Sequence, residues 1–224
     1  MRTIAQWLFI LCLPVLLLTA SLSAAANSPQ LYRYGFDKYD ISRVSGLDTS
    51  ELNRVAGGLI DYWNSGDEYI SLTVTKDGES FELFNEREVG HLKDVKGLFR
   101  LCYYVLLGTL VYSLTYFGIV FFWQRDQRRL ALGLVGGGGL TLALMLALGI
   151  FIAVDFDRFF LQFHLLSFAN DLWMLDPATD SLIMLFPRGF WFDAALYCAL
   201  ATAIGAIVLG GIGWWRLIRS SESP

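Results

Sequence analysis

Charge is scarce in this sequence. Asp, Glu, Lys and Arg together make up 17% of the 224 residues, against 55% for the apolar types. A water-soluble domain carries about 25% charged residues, so a soluble globular fold is excluded, and the mean hydropathy of +0.48 agrees. Cysteine is nearly absent, at three residues. Cys12, Cys102 and Cys198 each lie inside an apolar run, where a thiol packs as a small hydrophobe rather than pairing or ligating metal. None of them stands in the small-residue pattern of a lipid-attachment site. No G-x-S-x-G elbow presents a serine nucleophile, and Ser167 and Ser181, near one histidine, have no distinctive context. The glycine run 136–139 lacks the preceding strand and following lysine of a phosphate loop, and fits close helix packing in a membrane instead. A net charge of −4 offers no basic face to nucleic acid.

What the sequence does have is long apolar runs. Residues 4–22 are nearly all apolar after Arg2. The Ala24-Ala25-Ala26 that follows resembles a signal-peptidase site, but the run exceeds the ~7–15 residues of a usual signal core and approaches the ~20 that cross a bilayer. An uncleaved signal anchor over residues 1–26 is therefore favoured over a cleaved leader. Residues 98–123, 130–154 and 192–215 are three further spans. Arg125, Arg128 and Arg129 fall in the tight loop 124–129, and Arg216 and Arg219 in the tail 216–224. With four spans these arginines and Arg2 share one side, as the positive-inside rule requires. Both termini are then cytoplasmic, and residues 27–97 and 155–191 lie together outside. The expected fold is an α-helical integral membrane protein: four transmembrane helices and a small α+β extracytoplasmic cap made of two segments.

Within 27–97, Asp48-Thr-Ser-Glu51 reads as a capping box, with Leu52, Val55, Ala56, Leu59, Ile60 and Trp63 following at helical spacing until Asn64-Ser65-Gly66 stops the helix. Ile70, Leu72 and Val74 alternate with polar residues, and Phe81 and Leu83 resume the alternation after the turn Lys76-Asp77-Gly78-Glu79, which predicts a β-hairpin. Glu86 to Gly97 reads as helix running into the second span. In 155–191, Asp176-Pro-Ala-Thr-Asp180 has turn chemistry between the short apolar runs 172–175 and 182–186, which predicts a second hairpin.

The only two histidines, His91 and His164, each sit within about ten residues of a span end, on the same face. Each has candidate orienting groups nearby: the acids Glu88 and Asp94 flank the first, while the amide Asn170 and the acids Asp171 and Asp176 follow the second. An acid–base imidazole requires such orienting groups. The two rings are expected to face one another across a shared pocket at the outer interface. Lys96 either places a positive charge near a developing oxyanion or snorkels at the interface, and Asp180 completes the acidic set. Zinc ligation competes, but no H-E-x-x-H or similar spacing exists. Haem ligation fares worse, because neither histidine lies well inside a span. No metal or other cofactor is expected.

The blocks 86–96 (Glu-Arg-Glu-Val-Gly-His-Leu-Lys-Asp-Val-Lys), His164 with Asn170-Asp-Leu-Trp173, and Leu175-Asp-Pro-Ala-Thr-Asp180 with Leu182, Ile183 and Pro187 carry a resemblance. Together they are similar to those of a bacterial four-span membrane family, the lipoprotein intramolecular transacylases, abbreviated Lit. The similarity covers most of the chain; Leu92 stands where the family favours methionine. It implies a cytoplasmic-membrane enzyme acting on diacylglyceryl lipoproteins. The acyl chain at the glyceryl sn-2 position would move to the α-amino group of the same N-terminal cysteine, giving the lyso form. His91 and His164 would be catalytic, and the apolar residues Trp173, Met174, Phe186, Phe190 and Trp191 would hold acyl chains among membrane lipids. Two other classes remain open: a non-enzymatic scaffold or sensor binding lipid or peptide at the outer interface, and an intermolecular lipid hydrolase or acyltransferase.

Overall fold

A computed structural model describes residues 2–221. In chain order its helices are α1 (Arg2–Ala26), α2 (Pro29–Lys38), α3 (Ile41–Ser45), α4 (Thr49–Asn64), α5 (Glu86–Gly118), α6 (Gln127–Val154), α7 (Phe156–Ser167), α8 (Ser181–Leu185) and α9 (Arg188–Ser221). Strands β1 (Thr73–Lys76) and β2 (Glu79–Glu82) precede α5, which ends in a π-helical turn over Ile119–Trp123. Four of these helices, α1, α5, α6 and α9, are long and apolar enough to cross a membrane. The chain forms two compact units: the described residues of 1–23, 102–154 and 196–224, and residues 24–101 with 155–195.

The first unit is built from the apolar lengths of the four long helices. Phe9, Leu13, Tyr116, Val120 and Leu130 form its buried cluster, with Phe9 stacked on Tyr116 at 4.5 Å between ring centres. Leu107, Leu114, Leu146 and Ile204 are exposed, the arrangement of spans whose outer faces meet lipid rather than water. The glycine run works here as packing surface. A Cβ on Gly137 would meet Leu13 at 2.3 Å, and one on Gly138 would meet the Ala206 carbonyl oxygen at 2.9 Å. Backbones approach this closely only where side chains are absent.

The second unit has its own buried hydrophobic core. Leu52, Val55, Ala56, Leu59, Tyr62 and Trp63 of α4 are buried at helical spacing against Tyr32, Phe36, Leu185, Phe186 and Phe190. Asp48 caps α4 by accepting from the Glu51 amide at 2.8 Å. Glu51 does not close the box. Its carboxylate reaches the hairpin, accepting from the Thr75 amide at 3.1 Å, and pairs with Arg54. β1 and β2 pair antiparallel with Lys76 opposite Glu79. The two turn residues between them, Asp77 and Gly78, both have positive φ, 55° and 86°, as a tight two-residue hairpin demands.

The second expected hairpin is absent: residues 172–180 are turns and irregular backbone, and 181–185 form α8. Side-chain carboxylates have taken the backbone groups that a strand ladder would use. Asp176 accepts from the Ala178 amide at 2.9 Å, Asp180 accepts from the Asp176 amide at 2.7 Å, and Glu88 accepts from the Leu182 amide at 2.6 Å. Before this segment, Asp155 breaks the chain from α6 and caps α7 by accepting from the Arg158 amide at 2.9 Å. α7 buries little more than the stripe Phe156 and His164, with Phe160 half-buried between them, while Leu161, Phe163, Leu165 and Leu166 are exposed.

Candidate active site

The two histidines come together within the second unit. His91 is on the N-terminal part of α5, ahead of the span, and His164 is near the end of α7. Their ring centres lie 6.1 Å apart, tilted by 30°. Both rings are almost fully enclosed, at 6% and 7% exposure. Phe168 is shared between them, 5.0 Å from His91 and 5.6 Å from His164. Phe160 at 4.3 Å and Trp173 at 5.0 Å complete an aromatic wall around His164.

This enclosure decides their charge. Burial pushes the His91 imidazole down to about 4; the neighbouring His164 adds to the effect, and Asp94 opposes it. Burial also lowers His164, against an opposing hydrogen bond to the Phe160 carbonyl. Both rings are therefore neutral near pH 7. The bond from His164 Nδ1 to the Phe160 carbonyl oxygen is 2.7 Å. A carbonyl can only accept, so Nδ1 carries the proton and Nε2 keeps its lone pair. His91 Nδ1 is buried with no hydrogen-bond partner among the described residues, and a buried polar atom left unpaired costs free energy.

Of the expected supporting groups, Asp94 is the one whose charge reaches His91. It is fixed by Asn170, whose side-chain amide donates to it at 2.8 Å, while the Asn170 carbonyl oxygen accepts from the Trp173 indole at 2.9 Å. Asn170 thereby ties α5 to the ring packed on His164. Glu88 has a different role from the one expected. It forms a reciprocal cap with Asn85, accepting from the Asn85 amide at 2.8 Å while the Asn85 side-chain oxygen accepts from the Glu88 amide at 3.1 Å. Its other oxygen holds the Leu182 amide, and burial raises its pKa despite these donors. Asp180 is the partner of this clamp. Burial would raise its pKa, but donors from the Asp176 amide, Asn85 and Thr179 outweigh it and hold the carboxyl low.

The remaining residues are placed away from the imidazoles. Asp171 is exposed and faces Arg87 at 3.8 Å, and Asp176 shapes its own turn. Lys96 neither snorkels nor points a free charge. At 2% exposure it donates to the Asp67 carbonyl at 2.7 Å and the Ser65 hydroxyl at 3.0 Å over the face of Tyr62, and burial lowers its pKa. Phe186 and Phe190, expected to hold acyl chains, are core residues at 3% and 4% exposure. Their rings pack on Tyr32 and Phe36 within the hydrophobic core of the second unit instead. Met174 and Trp191 are exposed, and Trp173 is half-buried.

The family model described as lipoprotein intramolecular transacylase Lit matches residues 7–191. The chain belongs to the Lit family. A Lit structure from Bacillus cereus, solved in meso as a membrane integral protein, matches 99% of this chain and 98% of its own with a TM-score of 0.85 at 23% identity. A variant of that protein with a histidine replaced by alanine matches with a TM-score of 0.80 at 22% identity, over 99% of this chain and 96% of its own. At such identities the likeness establishes a common fold. An uncharacterized protein of Aquifex aeolicus (strain VF5) is 28% identical over 126 residues, 56% of this chain and 54% of that protein, so the match spans about half the length of that relative. This Lit chain is thus an integral membrane protein, with four membrane helices and a small two-stranded sheet.

Three features of this Lit site escaped the sequence reading. Asn85-Glu-Arg-Glu88 has the spacing of a cap with a carboxylate three residues on, a signal that would have assigned Glu88 correctly. Asp155 three residues before Arg158 could have marked the start of α7. Phe160 and Phe168, which enclose the rings, left no signal beyond their spacing from His164.

Proposed function

We propose that this protein transfers an acyl chain within a diacylglyceryl lipoprotein, from the glyceryl sn-2 oxygen to the α-amino group of the N-terminal cysteine. The observation that carries the reading is the pair of enclosed, neutral imidazoles 6.1 Å apart in a chain of this family. Donor ester and acceptor amine belong to one substrate, so their effective concentration is already high, up to ~10⁵–10⁸ M when well oriented. No enzyme nucleophile is then required. His164 Nε2, with its lone pair fixed by the Nδ1 bond to Phe160, takes a proton from the attacking nitrogen as the N–C bond forms. It returns that proton to the glyceryl oxygen as the C–O bond breaks, so the cycle leaves no net charge on the protein.

His91 suits a second task. An imidazole that resists protonation still donates an N–H hydrogen bond, and His91 can direct it to the oxyanion of the tetrahedral intermediate. The use of a neutral imidazole as an electrophile, rather than an imidazolium, is a known enzymatic pattern. The exposed apolar residues Leu161, Leu165 and Leu166 of α7, with Met174 and Trp191, would border the acyl chains. The site would lie on the extracytoplasmic face of a bacterial cytoplasmic membrane, with both termini inside.

The test is the mass and fragmentation of a synthetic diacylglyceryl lipopeptide after incubation with the purified protein. Unchanged mass with the acyl group now on nitrogen is expected. His164→Ala and His91→Ala should each lower the rate ~10²–10⁴-fold, with no acyl-protein adduct at any stage. Exchange of acyl chains between isotopically distinct lipopeptides would instead establish intermolecular transfer.

A further inference from the structure

Beside His91, α5 forms the floor of a cleft of about 460 Å³ lined by Asp67, Glu68, Asp94, Gly97, Phe168 and Asn170. That volume falls among the ~300–1,000 Å³ of small-ligand sites. One wall is the loop at 65–69, held by three cations of α5: Lys93 on Glu68 at 2.6 Å, Lys96 on the Asp67 carbonyl at 2.7 Å, and Arg100 on the Ser65 carbonyl at 3.3 Å. The other wall is the segment 167–170, anchored by Asn170 on Asp94. Two of the lining residues also belong to the catalytic surroundings. Phe168 packs edge-on against His91 at 5.0 Å, and Asp94 acts on the His91 ring electrostatically. Gly97 is exposed on the floor, and a Cβ there would meet nothing within 4 Å.

A diacylglyceryl lipoprotein is amphiphilic at one atom. Its acyl chains belong with the apolar surface of α7, its polypeptide needs polar walls, and its α-amine, protonated near neutrality with a pKa of roughly 8, lies between them. We propose that this cleft receives the polypeptide following the substrate's N-terminal cysteine, with Asp94 receiving the α-ammonium group next to the imidazoles, where it gives up one proton to water before the free amine attacks. The inference rests on the transacylase reading and adds to it the part of the substrate that the protein recognises in water. Asn170 uses one face of the Asp94 carboxylate, which accepts up to about four hydrogen bonds and so can take the ammonium as well. The exposed helical surface at Gly97 lets an extended chain lie against α5, and the polar walls supply partners for its amides.

Two variants of the full-length protein test this. Gly97→Leu fills the floor, and leucine favours a helix more than glycine does, so folding is retained. Its KM should rise about tenfold for a diacylglyceryl lipopeptide yet stay within about twofold for the corresponding diacylglyceryl-cysteine amide, which has no polypeptide. Equal effects on the two substrates, or none on either, would overturn the assignment of the cleft. Asp94→Asn keeps an acceptor for Asn170 and removes only the charge. Displacement of a fluorescent lipopeptide should show the wild type preferring a free-amine ligand over its N-acetylated form by about tenfold, and the variant losing that preference; a preference that survives in the variant rejects Asp94 as the ammonium site. Because binding is read apart from turnover, wild-type protein that shows these preferences without forming the N-acyl product would refute the transacylase reading and leave the cleft assignment standing.

Discussion

The chemistry of single residues is set here by what surrounds them rather than by what precedes them in sequence. His91 and His164 were recognisable as the only imidazoles, both beside a span. The acids near them were also visible, but three-residue spacing does not reveal which way a carboxylate faces. Glu88 is one helical turn from His91 and is committed to Asn85 and Leu182 instead. Glu88→Gln should therefore act on stability. One amide oxygen cannot serve both main-chain donors, and stranding one costs about 1–3 kcal/mol, measurable as a lower Tm, while the pH profile of the remaining activity keeps its shape. His91 gives the opposite kind of signature. Its folded pKa of about 4 lies below the ordinary 6.5, so between these values the unfolded chain binds a proton that the folded one does not. Stability should fall as pH drops through this window, and thermal melts of His91→Ala across the same range should be flatter. The activity should likewise have an acid limb below that ordinary value, since His164 is also shifted down.

At the scale of elements, legibility followed local determinants. The hairpin at 73–82 was readable because alternation and a two-residue turn say the same thing, and Asp77 and Gly78 supply the positive φ that such a turn needs. Gly78→Ala should cost ~1–2 kcal/mol, the penalty for a side chain in left-handed backbone, and lower the Tm without touching turnover. Helix α4 was readable for a similar reason: its cap, its apolar stripe and its stop all lie within the segment. Residues 172–186 were misread because their structure is decided by distant donors and acceptors. A strand there would need free amides, yet the amides of Asp176 and Leu182 are bound to Asp180 and Glu88, the second 94 residues away in the chain. Helices α2, α3 and α7 were missed for want of length. Each is short, and each is stabilised by burial of a few residues such as Tyr32, Phe36, Ile41 and Phe156 rather than by a strong periodic signal.

For the molecule as a whole, hydropathy is the strongest signal in the chain, and the four long apolar helices follow from it. The orientation we propose rests on the basic residues. Arg125, Arg128 and Arg129 flank the connection between α5 and α6, and Arg216 and Arg219 lie in the last turns of α9, where Arg219 covers the face of Trp215 at 4.2 Å. Cations beside interfacial tryptophan mark a headgroup boundary, and translocating such a group of arginines is disfavoured at every step of insertion. On the proposed four-span orientation, residues 27–97 and 155–191 would lie on the side away from the 124–129 loop, the side on which the proposed lipoprotein substrate would present its N-terminal cysteine. Single cysteines at Lys76 in the hairpin and at Gln127 at the start of α6, both introduced after replacement of Cys12, Cys102 and Cys198, test this in intact cells. An impermeant maleimide should label position 76 directly and position 127 only after the membrane is broken. Labelling of position 127 in unbroken cells would invert the topology and place the imidazole pair in the cytoplasm, away from any lipoprotein that has already been exported.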